Sequence, residues 1–268
     1  MTYTKNTWAS GGPPALNGVN LNNIETGLEH ALESMIYGCA LSYTGPYAIA
    51  VQPGGLWITG TKKFIVAPTT VFKAGFTINA SILYYVYGFA HASTGNLDFE
   101  LAASDSTTAT EPVVYKGTAM HKPGDLTRRY LGAIKGMPSG GCHPFASYPG
   151  NFIRYMGNTQ VSPFSVLTDG RATTETTVAC AAAVPPASRM AYMSFYDKTT
   201  IALGLGSDDD GTTLADGQAP ATFAPGAAKT FTIMQPLGVN RDFTYRYNTA
   251  PAVNDGLRAS VLGYVENR

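Results

Sequence analysis

The stretch INASILYYVYGFA, residues Ile78–Ala90, carries a long run of apolar and aromatic side chains. Side chains of a strand alternate between two faces, so Tyr84 and Val86 fall on one face and Tyr85 and Tyr87 on the other. A strand with one solvent-facing side would not carry bulky apolar residues on both faces. The run therefore predicts either the centre of a β-sandwich or a strand at a contact between subunits.

Around this run, short segments rich in Val, Ile, Thr, Tyr and Phe alternate with Gly, Pro, Asn and Asp from residue 41 onward. Such alternation is typical of strands joined by turns, and it predicts a mainly β body of the β-sandwich or jelly-roll type. We assign residues 41–268 to this body, and two β subdomains would divide it near residues 120–140. The candidate strands are 47–52, 56–66, 71–76, 78–90, 97–103, 112–119, 128–137, 152–156, 164–167, 176–184, 189–197, 200–205, 229–235, 243–248 and 257–265.

One short helix is predicted, from Asn20 to Tyr37. Asn22 with Glu25 three residues later forms a pair like a capping box, and Gly38 is placed to end the helix. Its apolar residues follow the alternating three- and four-residue spacing of a coiled-coil seam: Leu21, Ile24, Leu28, Ala31 and Met35. The alternative is a single amphipathic helix packed on its own β body, and the short seam leaves both readings open.

Three acidic residues of this helix, Glu25, Glu29 and Glu33, are spaced four apart and line one face. Like charges at this spacing repel each other, and residues 20–37 contain no Lys or Arg to offset them. This stripe suits a helix that is docked beside a basic surface, although a solvated face is the alternative.

Residues 1–19 are polar and rich in Gly and Pro, which predicts an extended arm without a core of its own. Trp8 lies in this arm and needs a protein surface that buries its ring. We therefore assign residues 1–40 to an N-terminal attachment arm and helix. The predicted attachment residues are Trp8, Leu21, Ile24, Leu28 and Met35.

The composition excludes some classes of partner. Charged residues make up 13% of the chain, where about 25% is usual, and a low charge content is expected of surfaces that are covered in an assembly. The net charge of +0 gives no reason to expect nucleic-acid binding. No apolar stretch is long enough for membrane insertion, and no signal peptide is visible, so we expect synthesis in a cytoplasm.

The candidate chemical groups are few and predict no catalytic, cofactor or metal site. His30, His91, His121 and His143 lack the spacings of zinc ligands. The adjacent Cys142 and His143 lie among Gly and Pro residues, which favours a turn over a catalytic pair. The run Asp208–Asp210 is an acidic turn or a calcium ligand set, and the sequence does not decide between these.

Three segments resemble structural proteins of tailed bacteriophages. Trp8 followed by GGPPALNGVNLNNIETGLEHA (Gly11–Ala31) resembles an N-terminal segment of fibre, collar, baseplate and head-decoration proteins. GDLTRRYLGAI (Gly124–Ile134) is similar to a strand of phage tail and virion proteins, although the later FIRYMGN (Phe152–Asn158) departs from its usual continuation. RASVLGYVENR (Arg258–Arg268) resembles their closing strand.

The resemblance implies a non-enzymatic virion protein, made in the host cytoplasm and assembled as a homotrimer with other virion proteins. The N-terminal arm would attach to the particle and the β body would project, which allows contact with a host surface glycan. A tail fibre, spike or baseplate-associated component is the first expectation. The alternatives are a capsid decoration, cement or head-fibre protein, and a glycan-degrading enzyme of the tailspike kind.

Overall fold

The structure is a computed structural model and describes residues 18–104, 110–116, 119–207, 221–223 and 229–268. Strands account for 52% of it and helices for 8%, which confirms a mainly β, sandwich-like fold that follows a short N-terminal helix. Trp8 and the acidic run Asp208–Asp210 lie outside the described residues.

The elements of the first group lie between residues 18 and 135. They are α1 (Gly18–Glu33), β1 (Ile36–Gly38), β2 (Leu41–Gly45), β3 (Ala48–Val51), β4 (Gly54–Ile58), a 3-10 helix (Thr59–Thr61), β5 (Lys63–Ala67), β6 (Val71–Ala74), β7 (Leu83–Ala90), β8 (Leu97–Ala103), β9 (Val113–Lys116), β10 (Ala119–Lys122) and β11 (Asp125–Lys135). They build three antiparallel sheets, in the orders β1-β4-β5, β2-β3-β6 and β8-β7-β11-β10-β9.

The elements of the second group lie between residues 145 and 265. They are β12 (Phe145–Tyr148), β13 (Phe152–Tyr155), β14 (Ser165–Gly170), β15 (Thr176–Ala179), β16 (Met190–Asp197), β17 (Leu203–Gly206), β18 (Ala221–Phe223), β19 (Lys229–Pro236), β20 (Asp242–Tyr247) and β21 (Leu257–Val265). One antiparallel sheet has the order β12-β13-β21-β16-β19, with β14 also paired to β21, and the other has the order β15-β20-β17-β18.

Strand β7 lies at the centre of the sandwich and is buried from Leu83 to Gly88. Val86 packs into the main core, whereas Tyr85 and Tyr87 pack on the opposite face against Tyr130. The first of the two predictions for this run is therefore correct, because the chain itself covers both faces.

The helix is shorter than predicted, since it ends at Glu33 and not at Tyr37. Residues Ile36–Gly38 instead form β1, which pairs with β4. Gly38 has a φ of +60°, and a Cβ atom there would lie 2.3 Å from the carbonyl oxygen of Pro53. Glycine is therefore required for this close approach, and the sheet pairing satisfies backbone groups that a longer helix would otherwise use.

The segment 56–66 was also predicted wrongly, as one strand. It is the hairpin of β4 and β5 around the 3-10 helix, with Lys62 in the left-handed region at a φ of +50°. Short strands such as β1, β2 and β12 were missed, because three to five residues carry too little periodicity to be recognised.

No strand of the first group pairs with a strand of the second in the described residues, although one hydrophobic core contains residues of both. The division into two subdomains stays a prediction. The last residues join the groups: Tyr264 donates a 3.0 Å hydrogen bond to the carbonyl of Ala133. Arg268 donates to the carbonyls of Cys39 at 3.0 Å and Leu131 at 3.2 Å.

Glu266 lies inside this junction, 3% exposed, and accepts a hydrogen bond from the hydroxyl of Tyr130. Burial raises the pKa of Glu266 from 4.5 to about 7, against the opposing effects of Tyr130 and Arg268. Because the folded state holds this proton more tightly than the unfolded state, the contribution of Glu266 to stability is greatest below about pH 4.5. It decreases as the pH rises and is lost by about pH 7.

We predict that Glu266→Gln removes this pH dependence. Relative to the variant, the wild-type chain should lose about 3 kcal/mol of unfolding free energy between acid and neutral pH. Denaturant unfolding of both proteins across this range measures the difference. Parallel stability profiles would contradict the placement of a buried, titrating carboxyl at this junction.

Candidate assembly interface

Helix α1 turns its acidic face toward the β body. Glu33 is 3% exposed, and Glu25 and Glu29 on the same face are half-buried. The described contacts with the β body are made by Glu33, at the C-terminal end of the acidic stripe. This orientation is the reverse of an ordinary amphipathic surface helix, which packs its apolar face on the core.

The apolar seam of α1 points away from the body. Ile24 is 53% exposed and Leu28 is 50% exposed, and Met35, just after the helix, is 44% exposed. Leu21 at the start of the seam is half-buried. Three of the predicted attachment residues, Ile24, Leu28 and Met35, are thus exposed, and Leu21 is partly covered.

A buried polar cluster fixes the C-terminal end of the helix to the body. The hydroxyl of Thr59 donates to the carboxylate of Glu33. Since that bond uses the only hydroxyl proton, His121 donates from Nε2 to Thr59 Oγ1 over 3.0 Å. Arg129 Nη1 donates to the backbone carbonyl of Glu33 over 2.8 Å. We call Glu33, Thr59, His121 and Arg129 the Glu33 cluster.

The pKa shifts of His121 and Arg129 determine which members of this cluster are charged. Burial lowers the pKa of His121 to about 4, and the neighbouring charge of Arg129 lowers it further, so the imidazole is neutral at neutral pH. Burial lowers the pKa of Arg129 to about 10, while Glu33 opposes this effect, so the guanidinium stays charged. Arg129 is fully buried, and its one hydrogen bond to Glu33 goes to the backbone carbonyl, while its Nε and Nη2 have no hydrogen-bond partner among the described residues.

The cluster determines which side of α1 faces out. Rotating the helix so that Ile24 and Leu28 pack on the body would break the bond from Thr59 to the Glu33 carboxylate and the bond from the buried Arg129 to the Glu33 carbonyl. An unpaired buried charge costs several kcal/mol, which exceeds the gain from covering two half-exposed apolar side chains. Within the described residues, the apolar seam therefore has no surface of the β body to pack on.

Sequence reasoning identified the seam but not the residues that orient it. His121 and Arg129 face each other across β10 and β11. The acidic stripe indicated a basic partner surface, but the sequence did not single out Arg129 as part of it. Thr59 carries no signal of its own, because a threonine in a turn is common.

The other chemical groups are packed in the interior. The three cysteines, Cys39, Cys142 and Cys180, are buried free thiols. Burial raises the pKa of Cys142 to about 12, which disfavours the reactive thiolate. The ring of His143 packs against Phe164 at 4.5 Å between centroids, as part of the aromatic core.

The described residues contain no group of three or more His, Cys, Asp or Glu that could hold a metal ion. Within the same part of the chain, no helix has the length and hydropathy needed to cross a membrane. Comparison with known proteins found no family model and no curated protein that matches the chain.

We predict that Arg129→Met lowers the free energy of unfolding by about 2 kcal/mol, because it removes the charge-assisted hydrogen bond that fixes the backbone carbonyl of Glu33. The adjacent Arg128 is the matched control. It is partly exposed and pairs with Glu100 at 3.1 Å, so Arg128→Met should cost about 1 kcal/mol or less. Denaturant unfolding measures both values, and equal losses would contradict the role assigned to the Glu33 cluster.

Proposed function

We propose that this chain is a non-enzymatic structural protein of a tailed-phage particle. In this proposal it forms a trimer, attaches to the tail as a fibre, spike or baseplate-associated component through its N-terminal segment, and projects its β body outward. The observation that carries the proposal is the outward-facing apolar seam of α1, which the Glu33 cluster keeps from packing on the described β body.

The residue types of the seam favour a trimer over a dimer. The spacing places Leu21 and Leu28 at heptad position a and Ile24 at position d. Leu at a with Ile at d shifts coiled coils toward three or four strands. Packing the seams of three copies together would cover Ile24 and Leu28 at a gain of about 1 kcal/mol for each half-exposed side chain.

The phage setting is supported by the three segments that resemble virion proteins, above all the arm and helix start. The composition agrees with it, since a surface with few charges is expected where copies and neighbouring subunits cover a protein. Such a protein would be made in the host cytoplasm and carried out of the cell in the particle.

We predict that the double substitution Ile24→Asp and Leu28→Asp abolishes incorporation into particles. Six carboxylates at a threefold contact would repel one another and could not be desolvated. The amount of the chain in purified particles, measured by quantitative mass spectrometry, checks this. Substitution is preferable to truncation at residue 38, because Glu33 and β1 are part of the packed body.

Asn23→Asp is the matched control, since Asn23 is exposed on the same helix but lies outside the seam. It adds one carboxylate to the helix, where the double variant adds two, and it should incorporate normally. Normal incorporation of the double variant would refute the assembly role of the seam.

An electron-dense label on the chain should appear on the tail of the particle. A label on the capsid would contradict the tail assignment and support a decoration role.

A further inference from the structure

A polar groove lies on the outer face of the sheet that contains β21, β16 and β19. Its volume is about 700 Å³, which is in the range of small-ligand sites. Six of the lining residues present aliphatic hydroxyls: Thr159, Ser165, Thr168, Ser194, Thr230 and Ser260. No described lining residue belongs to the first group of elements, which includes α1.

The shape of the groove comes from irregular pairing along β21. Next to β16, the register jumps from Tyr192–Gly263 to Met193–Val261, so Leu262 is an extra residue without a partner in β16. On the other edge of β21, the pairing with β14 shifts register twice. Bulges of this kind bend a strand and re-aim its side chains, and they are frequent beside binding sites.

Arg258 brings a positive charge to this hydroxyl-rich surface. Arg258 is directly opposite Tyr196 across β21 and β16, with its guanidinium carbon 6.0 Å from the ring centroid. Among the described residues that line the groove, none is Asp, Glu or Lys. In the described part of the chain, Arg258 has no carboxylate within ion-pairing distance, and it is exposed to solvent.

The side chains that line the groove indicate which class of ligand it can bind. The centre of a protein interface is apolar, whereas the described lining of this groove contains just two large apolar or aromatic side chains, Leu262 and Tyr196. Hydroxyl groups that both donate and accept match a partner rich in hydroxyls, and Tyr196 offers an aromatic edge for a sugar ring. An unpaired guanidinium adds a preference for a carboxylate.

We propose that this groove binds a carboxylated oligosaccharide, with the acidic group on Arg258 and sugar hydroxyls on the surrounding Ser and Thr side chains. The inference rests on the proposed function for its setting, because it names the chemistry of a host surface that the projecting body contacts. Its test does not depend on assembly, since the groove is formed within one chain.

The test uses the full chain and two carboxylated probes, each with a matched neutral form. The probes are trigalacturonate against its methyl ester, and sialyllactose against lactose. Saturation-transfer NMR detects binding and calorimetry gives the affinity. We expect saturable binding of at least one carboxylated probe and binding about tenfold weaker for its neutral form, which lacks the charge-assisted hydrogen bond.

Two single substitutions test whether the probe binds in this groove. Arg258→Gln should weaken the carboxylated probe about tenfold and leave the neutral form unaffected. Arg154→Gln is the matched control, because Arg154 is exposed on the same sheet but does not line the groove. Both variants replace exposed side chains, and thermal unfolding confirms that each remains folded.

Three results would overturn the inference: absence of binding by both carboxylated probes, equal binding of the neutral forms, or binding that Arg258→Gln leaves unchanged. The proposed function fails separately. A monomeric chain that binds the probe would reject assembly and keep the groove, whereas a trimer that binds no probe would reject the groove alone.

Discussion

The buried position of Glu33 is the constraint on which the N-terminal part of the molecule depends. Its carboxylate and backbone carbonyl are held by Thr59 and Arg129, in a place where an unpaired charge would be costly. This contact fixes the rotation of α1 and places Ile24 and Leu28 in water. A helix that bonds Glu33 to its own body and leaves its apolar seam exposed is suited to join other protein.

The same contact couples the helix to the sheets behind it. Directly after α1 the backbone of Met35 accepts a hydrogen bond from the amide of Trp57, and β1 continues the sheet of β4 and β5. At the other end of the chain, Glu266 and Arg268 tie the second group of strands to the first. Helix α1 and the groove thus belong to one packed body, so anchoring the helix would also orient the groove.

The sequence predicts this fold well where a strand is long and strongly apolar. Leu97–Ala103 and Leu257–Val265 have the predicted bounds, because their alternation is sustained over seven or more residues. The end of the helix was wrong, since Ile36–Gly38 has a helical pattern locally but gains strand partners from β4. The orientation of α1 could not be predicted, because Glu33 meets Arg129 96 residues away. The groove could not be predicted from the sequence either, because serine and threonine are common on the surface of any strand. The register shifts that bring these residues together depend on the pairing of β21 with its neighbours.

The molar mass of the purified full-length chain, measured by light scattering over a range of concentrations, tests the central claim most directly. The orientation of α1 predicts a species of three times the 28.3 kDa chain mass. A chain that remains a stable 28.3 kDa monomer at every concentration would show that the exposed seam needs no partner copy, which contradicts the account.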